Sequence, residues 1–201
     1  MSDNLIYTKS YSAPEVDRIE ALRYAGVRGE SPEMTELLES CISEIEGKIG
    51  YRVCYSVYDI KMCGGEVDLG FCKTNSKSLI KTLENCDKIL LFCATVGVEI
   101  DRAIAKHSLI SPARSVMLQA LGSERVEALC DMFCREIKDG AMAVGRDTTR
   151  RFSPGYGDLP LEIQRDIFLS LEPNKRIGVS LGADLFMTPT KSVTAIIGIK
   201  M

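Results

Sequence analysis

The sequence lacks the spacing of a metal centre. None of its eight cysteines (Cys41, Cys54, Cys63, Cys72, Cys86, Cys93, Cys130 and Cys134) forms a Cys-x-x-Cys pair, and its one histidine, His107, has no cysteine nearby in sequence. A zinc site is therefore poorly supported. Met1 to Tyr11 lacks the basic, apolar, small-residue order of a secretory signal, so a cytoplasmic protein is expected. In that reducing compartment most of the thiols are expected to act as small buried hydrophobes, with a redox or metal role as the alternative. The longest apolar run, Ile89 to Val98, is far short of the ~20 residues that span a bilayer, and no membrane association is expected. No Gly-x-Gly-x-x-Gly follows a strand and no Gly-x-x-x-x-Gly-Lys loop occurs, so nucleotide-phosphate chemistry is not indicated. Positive charge is not in excess either: 25 Lys and Arg against 28 Asp and Glu give −3, too little to attract nucleic acid or anionic lipid globally.

What is present is an ordinary globular composition, with 45% hydrophobic and 26% charged residues over 201 positions. That predicts one domain, residues 1–201, rather than two. Its first 50 residues read as helical. Ala13 to Ala25 carries Val16, Ile19 and Leu22 at helical spacing with Pro14 suited to a first turn, and Ser31-Pro32 opens a second helix that Gly47 and Gly50 stop. Residues 51–201 read as sheet and helices. Tyr51 to Met62 alternates like a strand, Cys63-Gly64-Gly65 signals a hairpin, and Asp87 to Val98 is a buried strand. Helices are expected over Ser76–Asn85, after Gly97, from Ser111-Pro112 past Ile137 with Gly122 as a break, and over Leu161–Leu171. Strand-like runs close the chain. The order predicts an α+β fold with an antiparallel or mixed twisted sheet and flanking helices, because strands and helices do not alternate regularly.

The segment Arg150-Arg151-Phe152-Ser153-Pro154-Gly155-Tyr156 carries the most chemistry. Pro-Gly fits the centre of a type II turn, which fixes the flanking side chains and presents backbone polar groups. Arg151 and Tyr156 then border one small loop, a guanidinium able to grip a carboxylate and a phenol able to cover a flat ligand. An ordinary solvated turn is the plain alternative. On the long helix, Glu127 and Asp131 fall about 40° apart on the helical wheel at the edge of the apolar face. They can receive a ligand's positive centre or simply face solvent. A metal reading of Glu127, Cys130, Asp131 and Cys134 mixes hard and soft ligands and gains nothing from it.

Arg151-Phe-Ser-Pro-Gly155-Tyr156 resembles the S-adenosylmethionine-binding motif of the activation domain of cobalamin-dependent methionine synthase. Upstream, Glu127-Ala-Leu-Cys-Asp131 is similar to that family's helix with two acids at i,i+4, the Asp and Glu types exchanged. Downstream, Phe186-Met187-Thr188-Pro189 with Ser192-Val193 resembles its Phe-x-Met-x-Pro-x-x-Ser-Val segment. The likeness runs from about Leu90 onward. The family's larger members add an Asp-Trp segment and a tyrosine-bearing tail that touch the ligand. This sequence has no tryptophan and resembles a small stand-alone form of the domain.

The resemblance implies a methionine synthase activation domain-like fold and S-adenosylmethionine as ligand. It implies cobalamin carried by a partner, either the cobalamin-binding domain of methionine synthase or another corrinoid protein. A flavodoxin-like or other electron donor would reduce the oxidised cobalt, and the sulfonium methyl would then be transferred to it. Arg151 is thereby assigned to the methionyl carboxylate and the backbone of Ser153, Pro154 and Gly155 to the adenine edge. Glu127 and Asp131 answer the ammonium and sulfonium charges, and Tyr156, as the catalytic residue, lies between ligand and corrin. The rival expectation is a non-catalytic interaction subunit that docks on a corrinoid protein without binding S-adenosylmethionine.

Overall fold

Strand alternation sets the architecture. In the computed structural model of the chain, which describes residues 5–201, Leu90, Phe92 and Ala94 pack into one hydrophobic core while Ile89, Leu91 and Cys93 pack into a second. A strand with both faces covered reads as an unbroken apolar run, which is why Ile89 to Val98 carries no polar alternation.

The elements run β1 (Tyr7–Tyr11), α1 (Arg18–Tyr24), α2 (Pro32–Ile45), β2 (Tyr51–Asp59), β3 (Lys61–Cys63), β4 (Glu66–Asp68), β5 (Lys73–Thr74) and α3 (Lys77–Thr82). There follow β6 (Cys86–Thr95), α4 (Glu99–His107), α5 (Pro112–Met142), α6 (Ile163–Leu171), α7 (Pro173–Arg176), β7 (Ser180–Leu181), β8 (Met187–Thr188) and β9 (Ser192–Lys200). The main sheet has the order β1-β2-β6-β9, and every neighbouring pair is antiparallel. Helices α1, α2, α4 and α5 contribute Ala21, Leu38, Ile100 and Leu118 to the core on one face. Helices α3 and α6 contribute Leu79, Ile163 and Ile167 to the core on the other. The α+β antiparallel expectation therefore holds.

Three local expectations are corrected. The first 50 residues are not purely helical, because Tyr7–Tyr11 is an edge strand paired with β2. The first helix starts at Arg18 rather than Ala13, where Asp17 caps it by accepting the Glu20 N–H (3.0 Å). Gly122 does not break α5: a Cβ there would meet Ile100 Cγ1 at 2.8 Å, so the glycine lets α4 pack closely.

The outer edge of β9 is covered by the segment that follows α5. Residues 147–152 run beside it, with Asp147 O accepting from Lys200 N (2.8 Å) and Thr149 N donating to Gly198 O (2.9 Å). Phe152 and Ile196 exchange both backbone hydrogen bonds at 2.8 Å. This strap protects an otherwise open sheet edge and fixes where Arg151 leaves the backbone.

Candidate functional site

The strap ends in the expected tight turn. Tyr156 N–H donates to Ser153 O (3.2 Å), and Gly155 has φ +86, the value that the third position of a type II turn requires. Gly155 N–H and Leu159 O close the loop at 2.9 Å. The loop is then tied to the second helical layer by Asp158, whose carboxylate accepts from Ser76 Oγ (2.5 Å), Lys77 N (2.7 Å) and Ser78 N (3.1 Å). These bonds, that from Ser76 foremost, hold the Asp158 carboxyl well below the usual range. They also satisfy free amides at the start of α3. Asp158 was not foreseen from the sequence.

Arg151 turns toward α5. Its Nη2 donates to Glu127 Oε2 and lies 3.4 Å from Asp131 Oδ1. The side chain is 25% exposed, and Nε and Nη1 take no hydrogen-bond partner among the described residues. Burial opposes the guanidinium charge, but Cys130, Glu127 and Asp131 together raise its pKa above the ordinary arginine value. One guanidinium against two carboxylates leaves the trio at a formal −1.

A cavity of about 390 Å³ opens beside this trio. Glu127, Arg151, Ser153, Pro154 and Tyr156 line it from the α5 and turn side. Tyr156 stands at the rim, 70% exposed. Gly155 shapes the turn without lining the cavity, and Asp131 faces an adjoining groove that it shares with Arg151, Cys134 and Arg135. Gln164 of α6, Met187 of β8 and Ser192, Val193 and Thr194 of β9 form the remaining wall. The sequence held one signal for Gln164: it shares a helical face with Ile163, Ile167 and Leu171, a polar residue among core positions.

The thiols stand apart from this arrangement. All eight are free; Cys41, Cys54, Cys86, Cys93 and Cys130 are buried and only Cys63 is exposed. Burial pushes Cys134 up to about 11 and Cys72 up to about 12. Among the described residues no group of three or more His, Cys, Asp or Glu side chains is placed to hold a metal ion. No helix among them is long and apolar enough to cross a membrane.

Comparison with known proteins bears on the fold. No family model matches the sequence, and no curated protein matches it. Among solved structures, the chain is similar to the MetH reactivation domain crystallised with AdoHcy, with a TM-score of 0.70 and 15% identity. The match covers 96% of this chain and 78% of that one. The fold is that of the MetH reactivation domain.

Proposed function

We propose that the chain binds S-adenosylmethionine in the cavity beside Arg151 and presents its methyl group to the cobalamin of a separate corrinoid protein, restoring methionine synthase or a related enzyme after oxidation. One observation carries this reading: Arg151, Glu127 and the Ser153–Tyr156 turn converge on one cavity, on the fold of a domain crystallised with AdoHcy. The residues fit such a ligand. The free Nε and Nη1 of Arg151 suit a carboxylate, and the trio's formal −1 suits an amino acid that carries a sulfonium. The cavity lies within the ~300–1,000 Å³ typical of small-molecule sites.

In this reading S-adenosylmethionine supplies an activated methyl group on positively charged sulfur. The protein's share is to hold the amino-acid end by Arg151, to answer the positive centres with Glu127 in the cavity and with Asp131 from the adjoining groove, and to fix the orientation that a transfer between two partners needs. The exposed Tyr156 ring at the rim offers a flat apolar face to a corrin on the partner. A flavodoxin-like or other donor would supply the electron, and the cytoplasm is the compartment in which these partners would meet.

The rival reading, a docking subunit that binds no S-adenosylmethionine, draws on one observation. Arg151 already has both acids beside its Nη2, so its charge is balanced without a ligand. Calorimetric titration of the pure protein with S-adenosylmethionine separates the two. Saturable heat, followed by methylcobalamin absorption when a corrinoid protein and a reductant are added, supports the proposal; docking on a corrinoid protein with no S-adenosylmethionine heat supports the rival.

A further inference from the structure

Only two buried side-chain polar atoms among the described residues lack a hydrogen-bond partner, Gln164 Oε1 and Thr194 Oγ1, and both residues line the cavity beside Arg151. Gln164 is 6% exposed and Thr194 2%. A polar atom buried without a partner has given up its bonds to water and gained nothing in return, so such atoms are rare in a folded protein. Two of them on one cavity wall point to a group that arrives from outside the chain.

The backbone adds a third feature at the same place. Ile196 spends both its outward hydrogen bonds on Phe152, so alternation turns the N–H and C=O of Thr194, two residues earlier on β9, toward the same outer edge. There the strap has left the sheet through the Ser153 turn, and no described segment pairs with Thr194 on that edge. The cavity thus occupies the gap where the sheet edge is uncovered. Arg151 with its acids lies on the α5 side of this gap and Gln164 on the α6 side.

We infer that Gln164 and Thr194 form a second recognition wall that, across the cavity from the Ser153–Pro154 turn expected to meet the adenine edge, receives the nucleoside part of the ligand, leaving its amino-acid part to Arg151. A carboxamide pairs with an amino group or a hydroxyl whichever way it is turned, and the threonine hydroxyl and strand edge both donate and accept. An adenine 6-amino group and ribose hydroxyls match that set, whereas a carboxylate meets no cation on this wall. The assignment rests on the ligand proposed above and adds to it the residues that select an adenosine-bearing molecule.

The test titrates S-adenosylmethionine, adenosine and methionine separately into wild type, Gln164→Leu, Thr194→Val and Arg151→Ala. Both wall variants are expected to weaken S-adenosylmethionine and adenosine at least tenfold, to leave methionine unchanged, and to melt without ligand at or above the wild-type temperature, since each removes an unpartnered buried polar atom. Arg151→Ala is expected to weaken S-adenosylmethionine and methionine and to spare adenosine. If wild type and both wall variants bind S-adenosylmethionine equally, the wall assignment is wrong and the ligand reading stands. If wild type binds adenosine but not S-adenosylmethionine, and Gln164→Leu abolishes that binding, the ligand reading falls and the wall stands. Failure of wild type to bind any adenosine-bearing probe overturns both.

Discussion

Arg151 and Glu127 are 24 residues apart in sequence and joined by a guanidinium–carboxylate bond between the strap and α5. Partly exposed as the pair is, it contributes little to folding, roughly 0–1 kcal/mol. A charge-assisted contact to a ligand contributes more. Arg151→Ala is therefore expected to weaken S-adenosylmethionine binding by about 1.5–3 kcal/mol, roughly ten- to a hundredfold, while leaving the unfolding free energy within about 1 kcal/mol of wild type. Calorimetry and urea unfolding of the same preparations check the contrast. Equal affinity in mutant and wild type would remove Arg151 from the site.

The turn that carries Ser153 and Tyr156 depends on a glycine just beyond it. Gly157 has φ +57, and a Cβ there would sit 2.8 Å from Ser78 Oγ and 3.1 Å from Ser78 Cβ. Gly157→Ala thus combines left-handed backbone strain with a collision against α3. A loss of about 1–3 kcal/mol in stability is expected, together with a lower S-adenosylmethionine affinity as the turn shifts. Thermal unfolding that leaves the melting temperature unchanged would contradict the close approach.

Asp158 gives the loop a pH dependence whose sign is fixed. Hydrogen bonds from Ser76, Ser78 and Lys77 lower its folded-state pKa below the unfolded value near 3.8. Its contribution is complete above the unfolded value and is lost as the pH falls from there through the lowered folded value. Asp158→Asn is therefore expected to be less stable than wild type at neutral pH and to lose less of its stability on acidification. Urea midpoints measured from pH 7 down to pH 3 check this; parallel profiles for the two proteins would exclude the carboxylate as an anchor.

The elements legible in the sequence are those whose side chains must be buried. The apolar run of β6, the Met34, Leu37, Leu38 and Cys41 stripe of α2 and the core face of α5 are dictated by burial against the sheet. Edge strand β1 is not legible, because Tyr7, Thr8 and Ser10 are exposed, Tyr11 is only partly covered, and no apolar alternation marks it. At the site, the Pro-Gly turn and the i,i+4 acids follow from local chemistry. Arg151 meeting Glu127 depends on the strap pairing with β9, a contact between distant segments with no local signature. The roles of Asp158 and Thr194 come likewise from α3 and a sheet edge that local spacing does not encode, whereas Gln164 is marked locally only as a polar residue on the core face of α6, and its cavity is not.

Thiol chemistry separates a structural role for the cysteines from a redox one. Cys63 is exposed in the β3–β4 hairpin, whereas Cys72 and Cys134 are partly covered and have pKa values raised by burial to about 12 and about 11. The remaining five are buried. At pH 8 the native protein is expected to show one fast-reacting thiol, lost in Cys63→Ser, and eight in denaturant. Several fast thiols in the native state would restore the redox reading.

Buried Arg125, beside Glu124 on α5, holds the approach to α1. Its Nη1 donates to Pro14 O (2.6 Å) and its Nη2 to Glu15 O (2.7 Å), while Glu124 Oε1 accepts from Asp17 N (3.1 Å). Both side chains are almost fully buried, so removing one charge strands the other. Arg125→Met is expected to cost about 3–5 kcal/mol in urea unfolding. Replacing Glu124 as well removes the stranded carboxylate and would be nearly neutral if the pair acted only on itself. It acts also on three backbone groups, and these stay unpaired in the double variant. Arg125→Met/Glu124→Met is therefore expected to regain part of the loss but not all of it, with faster proteolysis ahead of α1; full recovery would mean that the ion pair, rather than the latch on residues 14–17, carries the stability.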